Sequence, residues 1–187
     1  MRQANVVVSV MMPSRQITLA LLLLLSSLLV MAAPPDDMAA GIAAYNRGDV
    51  VEAMRRFQVA AEAGHAPAQA RLGYILDKAE ENEQAVKWYR RAAEQGDADG
   101  EHGLGQMYAT GEGVKRDMTQ ALRWITRAAE KNHLPAITAL AATYEKGAQE
   151  VAPDPERARH WYQRAADLGD KPSIQRLARA HRQGELG

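Results

Sequence analysis

Residues 104–129 read LGQMYATGEGVKRDMTQALRWITRAA, and a frame within this stretch returns at three other places in the chain of 187 residues. The frame ends on an Ala-Ala pair, which occurs at 60–61, 92–93, 128–129 and 165–166. Another alanine stands eight residues before the second alanine of each pair, as Ala53, Ala85, Ala121 and Ala158. Offsets of 0, 3, 4, 7 and 8 from this alanine trace one face of an α-helix. Each copy is therefore predicted to contain an amphipathic helix, called helix B.

Aromatic residues follow the same frame. Trp88, Trp124 and Trp161 each stand three residues after the frame alanine, and they are all the tryptophans of the chain. We expect these indoles to interlock with the alanines of neighbouring helices.

Helix B is followed in every copy by signals that end one helix and start another. Gly64, Gly96, Asn132 and Gly169 come three residues after the Ala-Ala pair, where a left-handed backbone ends a helix. Pro67, Pro135 and Pro172 come three residues later, at a place suited to a first helical turn. These signals predict a second helix, helix A, in each copy.

Helix A carries a leucine followed by a small residue. The pairs are Leu72-Gly73, Leu104-Gly105, Leu140-Ala141 and Leu177-Ala178. Glycine inside a helix costs up to about 1 kcal/mol relative to alanine, so its presence indicates a notch where another helix approaches closely. Asp49, Asp117 and Asp154 each lie four residues before a frame alanine and are predicted to cap the start of helix B.

The chain is thus predicted to be all-α, an α-solenoid of antiparallel helix pairs, because at least about three stacked units are needed to bury such helices. We place the copies at 38–65, 66–97, 98–133 and 134–170 and a capping helix at 171–187. Residues 33–37 form a short linker before them.

The third copy resembles the Sel-one-like repeat, a member of the tetratricopeptide-like superfamily. The residues that carry the resemblance are Leu104, Gly105, Tyr108, Gly111, Gly113, Val114, Asp117, Ala121, Trp124, Ala128 and Ala129. The first two copies lack the Gly-x-Gly-Val loop and are closer in spacing to plain tetratricopeptide repeats. The resemblance implies an adaptor that holds other proteins or peptides, often in export-linked or envelope processes.

The amino-terminal sequence predicts export. Residues 17–30 read ITLALLLLLSSLLV, after Arg2 and Arg15 and before small residues and a polar break, which is typical of a secretory signal peptide. We expect cleavage after Ala32, with Ala33 as the alternative, so residues 1–32 would be removed and the mature protein would be periplasmic or secreted. The alternative is a retained membrane anchor facing the periplasm, and translation could start at Met1, Met11 or Met12.

Composition argues against several function classes. The chain has 23 Lys+Arg, 23 Asp+Glu and no cysteine. Balanced charge argues against nucleic-acid binding, and the lack of cysteine removes thiol nucleophiles and cysteine zinc sites. After residue 32 the one serine is Ser173, and no H-E-x-x-H motif occurs. We therefore expect no enzymatic activity, no metal site and no cofactor.

The predicted binding surface is the inner face of helix A. Residues at −2, +2, +5 and +6 from each leucine point within about 50° of the direction opposite to the core, at about 100° per residue. That this side lines the inner groove is implied by the resemblance. The candidate residues are Tyr74, Asp77, Lys78, His102, Gln106, Thr110, Thr138, Glu145, Lys146, Gln175, Arg179 and Arg182. Tyr74 is the expected anchor, because it is the one aromatic outside the frame and aromatics are frequent at binding hot spots.

Three functional hypotheses follow. The first is an exported, non-enzymatic adaptor in the bacterial cell envelope that binds a protein or peptide. The second is a membrane-tethered assembly factor that keeps its apolar amino-terminal segment. The third is an envelope hydrolase that uses carboxylates such as Asp97 and Asp99.

Overall fold

The computed structural model describes residues 34–183, in which nine helices of 13 residues follow one another. They are α1 Pro34–Asn46, α2 Val50–Glu62, α3 Ala66–Lys78, α4 Asn82–Glu94, α5 Ala98–Thr110, α6 Met118–Glu130, α7 Leu134–Lys146, α8 Pro155–Asp167 and α9 Lys171–Gln183. An isolated bridge between Ala148 and Val151 is the one β-type pairing in this range. The all-α prediction is confirmed, and the predicted signal peptide at 1–32 lies outside the described residues.

The predicted caps and turns are those of the structure, but α1 begins at Pro34, so residues 34–37, which were predicted to belong to a linker, are helical. The Asp49 carboxylate accepts the Glu52 amide at 3.1 Å, Asp117 accepts Gln120 at 2.9 Å, and Asp154 accepts Arg157 at 3.0 Å. After each helix B the chain takes a positive φ, at Gly64, Gly96, Asn132 and Gly169. These local signals turn the chain back at regular intervals, so that successive helices become neighbours.

Stacking of the helix pairs places the helices of type A side by side. From α2 onward every helix packs against the next one in the chain, Gly41 of α1 lies against Phe57 of α2, and α3 also packs against α5. Most connections have three residues, whereas those from α5 to α6 and from α7 to α8 have seven and eight, and the helices that they join form antiparallel hairpins. The contact between α3 and α5 brings two A helices together, and this is the arrangement that forms a groove.

The core is built from small residues and a few large apolar ones. Both alanines of the second and third Ala-Ala pairs are fully buried, as are Leu104, Ile137 and Leu140. A Cβ added at Gly105 would lie 2.5 Å from Cγ1 of Ile125, and one added at Gly73 would lie 2.9 Å from the Tyr89 ring. The predicted notches are therefore confirmed, since the neighbouring helix occupies the space of the missing side chain.

The predicted position of the tryptophans needs a correction. Trp88, Trp124 and Trp161 are only half-buried and pack against the margin of the core. Their outer faces are covered by an arginine three residues later: Arg91 and Arg127 lie 4.6 Å, and Arg164 5.8 Å, from the ring centroid. The deeper position belongs to the next residue in the frame, held by Phe57, Tyr89 and Ile125. An indole is too large for the space between two alanine faces, whereas its edge suits a stacked guanidinium.

Candidate functional site

A groove of about 530 Å³ opens on the A-helix side of the first copies. Its walls come from α1, α3, α5 and the start of α7, and its floor comes from α2 and α4. Four of the predicted binding residues line it, namely Tyr74, Lys78, His102 and Gln106. The groove therefore brings together residues from helices that are distant in sequence.

The helical register explains why these four side chains share a groove. Tyr74 and Lys78 stand two and six residues after Leu72, and His102 and Gln106 stand two before and two after Leu104. Both leucines are buried, at 2% and 0% exposure. Residues at these offsets must then point away from the core, which for helix A is the groove side.

The floor of the groove is apolar. Phe57, Ile75 and Tyr89 line it and are themselves almost completely buried. Gly103 allows Tyr89 to reach this position, because a Cβ there would lie 2.4 Å from the Tyr89 ring. Burial raises the pKa of the Tyr89 phenol, so it stays protonated and uncharged. Such a floor favours an apolar side chain of a ligand.

Two exposed tyrosines stand at one edge of the groove. Tyr74 is 45% exposed and Tyr45 is 37% exposed, and their hydroxyl groups face each other. The Lys78 ammonium lies 5.5 Å from the centroid of the Tyr74 ring. Large aromatic rings left in water beside a cavity are unusual for a chain whose other rings are packed, and they offer contact area to a ligand.

Tyr45 was not predicted as a groove residue, because spacing alone places it in the repeating frame, at the position that Tyr108 holds in the third copy. In the structure the frame position belongs to Ala44, which is fully buried. The Ala44 carbonyl accepts the Asp49 amide at 3.0 Å, as the Leu76 carbonyl accepts the Glu81 amide at 2.9 Å. The first copy is thus shifted by one residue, and Tyr45 points into the groove. Gly41, whose Cβ would lie 2.6 Å from Phe57, is the signal that marks the correct register.

The opposite wall carries two imidazoles and a carboxylate. The His102 and His133 rings lie 5.0 Å apart, and Nε2 of His133 lies 2.8 Å from Oδ1 of Asp99. The Ala136 amide donates to Nδ1 of His133 at 3.3 Å, so the ring hydrogen is on Nε2 and is donated to Asp99. His133 is half-buried and caps α7.

Electrostatics keep the His102 ring of this wall uncharged near neutral pH. Burial, with a smaller contribution from His133, lowers the pKa of His102 to about 4. The hydrogen bond with His133 lowers the pKa of the Asp99 carboxyl. His102 is therefore neutral and Asp99 is ionised at pH 7. Neither Asp99 nor His133 was predicted from the sequence as a groove residue.

The remaining predicted residues do not line the groove. These are Asp77, Thr110, Thr138, Glu145, Lys146, Gln175, Arg179 and Arg182. Glu145 shows why: its carboxylate accepts the Tyr162 hydroxyl at 2.7 Å and binds Arg176, which joins α7 to α8 and α9. Burial alone would raise the pKa of Glu145, but these two hydrogen bonds outweigh it and lower the pKa. In the fourth copy a polar cluster thus occupies the helix face that forms the groove in earlier copies.

The other candidate features are the Asp97 carboxylate, a metal site and a membrane-spanning helix. Asp97, a candidate in the hydrolase hypothesis, caps α5 by accepting the Gly100 amide at 2.8 Å, and burial raises its pKa. Between residues 34 and 183 no three His, Asp or Glu side chains are grouped so that they could hold a metal ion. None of the nine helices described has the length and apolar character that crossing a membrane requires.

The repeat described above matches a known family model. The family model for the Sel1 repeat matches residues 66–97, 98–133 and 134–170. It includes the second copy, which we expected to be closer to plain tetratricopeptide repeats, so that expectation was wrong.

Two solved structures are similar. The chain is 30% identical to a Sel1 repeat protein from Oxalobacter formigenes, with a TM-score of 0.70, over 82% of this chain and 66% of that one. It is 28% identical to c5321, described as a protective antigen of uropathogenic Escherichia coli strains with an SLR fold, with a TM-score of 0.44, over 81% of this chain and 41% of that one.

Proposed function

This chain belongs to the Sel1 repeat family, whose repeats generally serve as protein-interaction modules, and from that premise we propose that its groove binds an extended segment of a partner protein. The repeat-bearing part of the chain is then a scaffold that presents one binding surface. The fold is typical of non-catalytic proteins, and we propose no catalytic step in the groove.

One observation carries this proposal. Tyr45 and Tyr74 stay exposed above an apolar floor, although the chain buries its other rings at least partly. An apolar floor with a few polar groups around it is the usual composition of a binding cleft. A folded chain gains nothing from leaving two tyrosines in water, whereas a ligand that covers them gains apolar contact area.

The shape of the groove favours a peptide segment over a compact ligand. Its lining comes from α1, α3, α5 and the start of α7, so a bound segment can follow a path that touches several stacked helices. An extended chain rises about 3.3 Å per residue and can follow such a path with alternate side chains on the floor. This mode of binding uses main-chain and side-chain contacts together.

We further propose that the protein acts in the bacterial cell envelope as an adaptor. The support is the apolar segment 17–30 behind Arg2 and Arg15, with small residues before a polar break. Amino-terminal sequencing of the protein from its host tests this. A mature chain that starts at Ala33 or Pro34 supports release into the periplasm, and an intact segment 17–33 supports the membrane-tethered alternative.

The binding proposal is tested by removing the exposed rings. We expect the Tyr45→Ala/Tyr74→Ala variant to lose crosslinked protein partners in its host while its thermal unfolding stays close to that of the unmodified protein. Val51→Ala is the matched control, because Val51 is 82% exposed on α2 and does not line the groove. Retention of all partners by the double variant would contradict the proposal.

A further inference from the structure

Two positively charged side chains, Arg71 and Lys78, border the groove on α3, and each lies near one carboxylate of the described chain, Asp99 for Arg71 and Asp77 for Lys78. Arg71 lines the groove and makes no hydrogen bond or ion pair with any residue between 34 and 183. The carboxylate paired with Lys78 is that of its own neighbour, Asp77, at 3.5 Å, and the Lys78 side chain remains 64% exposed. Both cations are therefore available to a ligand.

The other wall of the groove compensates part of this charge. Asp99 is the one carboxylate among the lining residues; it accepts a hydrogen bond from His133 at 2.8 Å, keeps its negative charge and attracts Arg71. His102, next to it, is uncharged at neutral pH. The two cations of α3, called the α3 edge, therefore face one carboxylate, which leaves one positive charge of the lining uncompensated.

The spacing of the two cations indicates how a ligand would meet them. Arg71 and Lys78 are seven residues apart on one helix, which is about 10.5 Å along its axis, and Tyr74 lies between them. An extended chain rises about 3.3 Å per residue and alternate side chains share a face, so acidic residues four positions apart, about 13 Å, can reach both cations. The residue midway between them points to the same face and would lie over Tyr74 and the apolar floor.

We infer that the groove selects an acidic segment of its partner, in which two side-chain carboxylates flank an apolar residue and meet Arg71 and Lys78. This inference rests on the proposed peptide-binding function and adds the chemistry of the bound segment. Complementary charge increases the association rate and excludes partners of like charge, so the α3 edge sets specificity while the floor supplies apolar contact.

The experiment is a selection from a display library of random short peptides on the purified protein. We expect the selected peptides to carry Asp or Glu on both sides of a large apolar residue. In direct binding, replacing those acids by Asn or Gln should weaken a selected peptide about tenfold or more, and added salt should weaken it further. Amidating the peptide's carboxyl terminus should have no effect, because side-chain carboxylates supply the contacts.

Protein variants complete the test. Arg71→Glu/Lys78→Glu should bind the acidic peptide at least about tenfold more weakly and should select basic peptides instead. Lys87→Glu is the matched control, since Lys87 is exposed on α4 outside the groove and should leave binding unchanged. Thermal unfolding of all variants shows whether each one is folded.

The possible failures are distinct. Neutral or basic peptides that bind and are lost on Tyr45→Ala/Tyr74→Ala would overturn the acidic specificity and leave the groove as a peptide site. Dependence on a free carboxyl terminus would also overturn it. Peptides that bind equally well to the Tyr45→Ala/Tyr74→Ala variant, or no selected peptides at all, would count against the proposed function itself.

Discussion

The Lys131 ammonium lies 2.8 Å from Oε2 of Glu101, a carboxylate with no exposed surface. The other carboxylate oxygen, Oε1, lies 2.9 Å from the Arg127 guanidinium. Lys131 also donates to the Gly96 carbonyl at 2.6 Å, so it joins the turn before α5 to the end of α6. Two cations from one helix thus hold a buried anion of the helix next to it.

The same place in other copies is occupied differently. In the second copy Gln69 is the buried residue, and Gln95 donates to its side-chain oxygen at 2.7 Å. In the fourth copy the equivalent residues are the apolar Ile137, which is fully buried, and Leu168. At this position the repeat therefore has an ion pair, an amide pair or two apolar residues, so the two side chains are of the same polarity class in each of the three copies.

Placing the two apolar residues of the fourth copy at the equivalent positions of the third copy tests whether the two side chains must match in polarity. Lys131→Leu alone should lower the free energy of unfolding by about 1–3 kcal/mol, because Glu101 would keep one cation only. This loss is smaller than the roughly 3–5 kcal/mol for a fully buried ion pair, because the Lys131 side chain is partly exposed. The Glu101→Ile/Lys131→Leu variant should return to within about 1 kcal/mol of the unmodified protein. Urea unfolding of both single variants and the double variant gives the coupling. A double variant as unstable as the sum of its single variants would contradict the matching.

The close approach of α6 to Gly105 leads to a second prediction, which concerns the free energy of unfolding. Gly105→Ala should lower the free energy of unfolding by about 1–3 kcal/mol, although alanine is the better helix former by up to about 1 kcal/mol. The added Cβ would lie 2.5 Å from Ile125 Cγ1 and 3.1 Å from the Ala121 carbonyl oxygen, which belongs to the backbone and cannot rotate away.

The fourth copy supplies the control for this notch, since Ala141 takes the place of the glycine. Ala141→Gly should also destabilise the protein, by about 1–2 kcal/mol, from the loss of helix propensity and of a fully buried methyl group. Urea unfolding measures both changes. A more stable Gly105→Ala variant would show that helix propensity, and not close approach, decides the residue at this position.

A third prediction concerns pH. The pKa of His102 is lowered from 6.5 to about 4 in the folded chain, mainly by burial and next by His133, while Asp99 opposes the shift. Between these two values the unfolded chain takes up a proton that the folded chain does not. The His102 contribution to stability is therefore complete above about pH 6.5 and is lost as the pH falls towards 4, by at most about 1.4 kcal/mol per pH unit.

His102→Gln isolates this contribution from the titration of other groups. We expect the stability difference between the unmodified protein and the variant to be constant above about pH 6.5 and to shift in favour of the variant as the pH falls to about 4. Urea unfolding at several pH values measures it. Parallel stability curves over this range would mean that the fold does not keep His102 neutral.

The sequence was sufficient for the features that depend on local spacing. The Asp49 cap and the turn at Gly64 each involve residues a few positions apart, and the notch at Gly105 shows directly as a glycine inside a helix pattern. Tyr74 and Gln106 were placed correctly because the helical register fixes their direction once the buried leucine is known.

The rest of the groove could not be read from local spacing. Asp99 and His133 are 34 residues apart and meet only when successive pairs stack. Arg71 stands directly before Leu72 in the register and reaches the groove through its long, flexible side chain. Glu145 has the register of a groove residue, but Tyr162 and Arg176 bind it, and these contacts depend on how α8 and α9 pack.

The central claim, that the groove is where this protein binds its partner, is tested most directly by a photo-crosslinking amino acid at Gln106. Gln106 is exposed and lines the groove, and Lys87 provides an equally exposed position outside it. We expect position 106 to crosslink to a defined segment of a partner protein, and we expect this crosslink to be lost in the Tyr45→Ala/Tyr74→Ala background. Position 87 should give no such crosslink. Crosslinks to that segment from Lys87 and none from Gln106 would contradict the account.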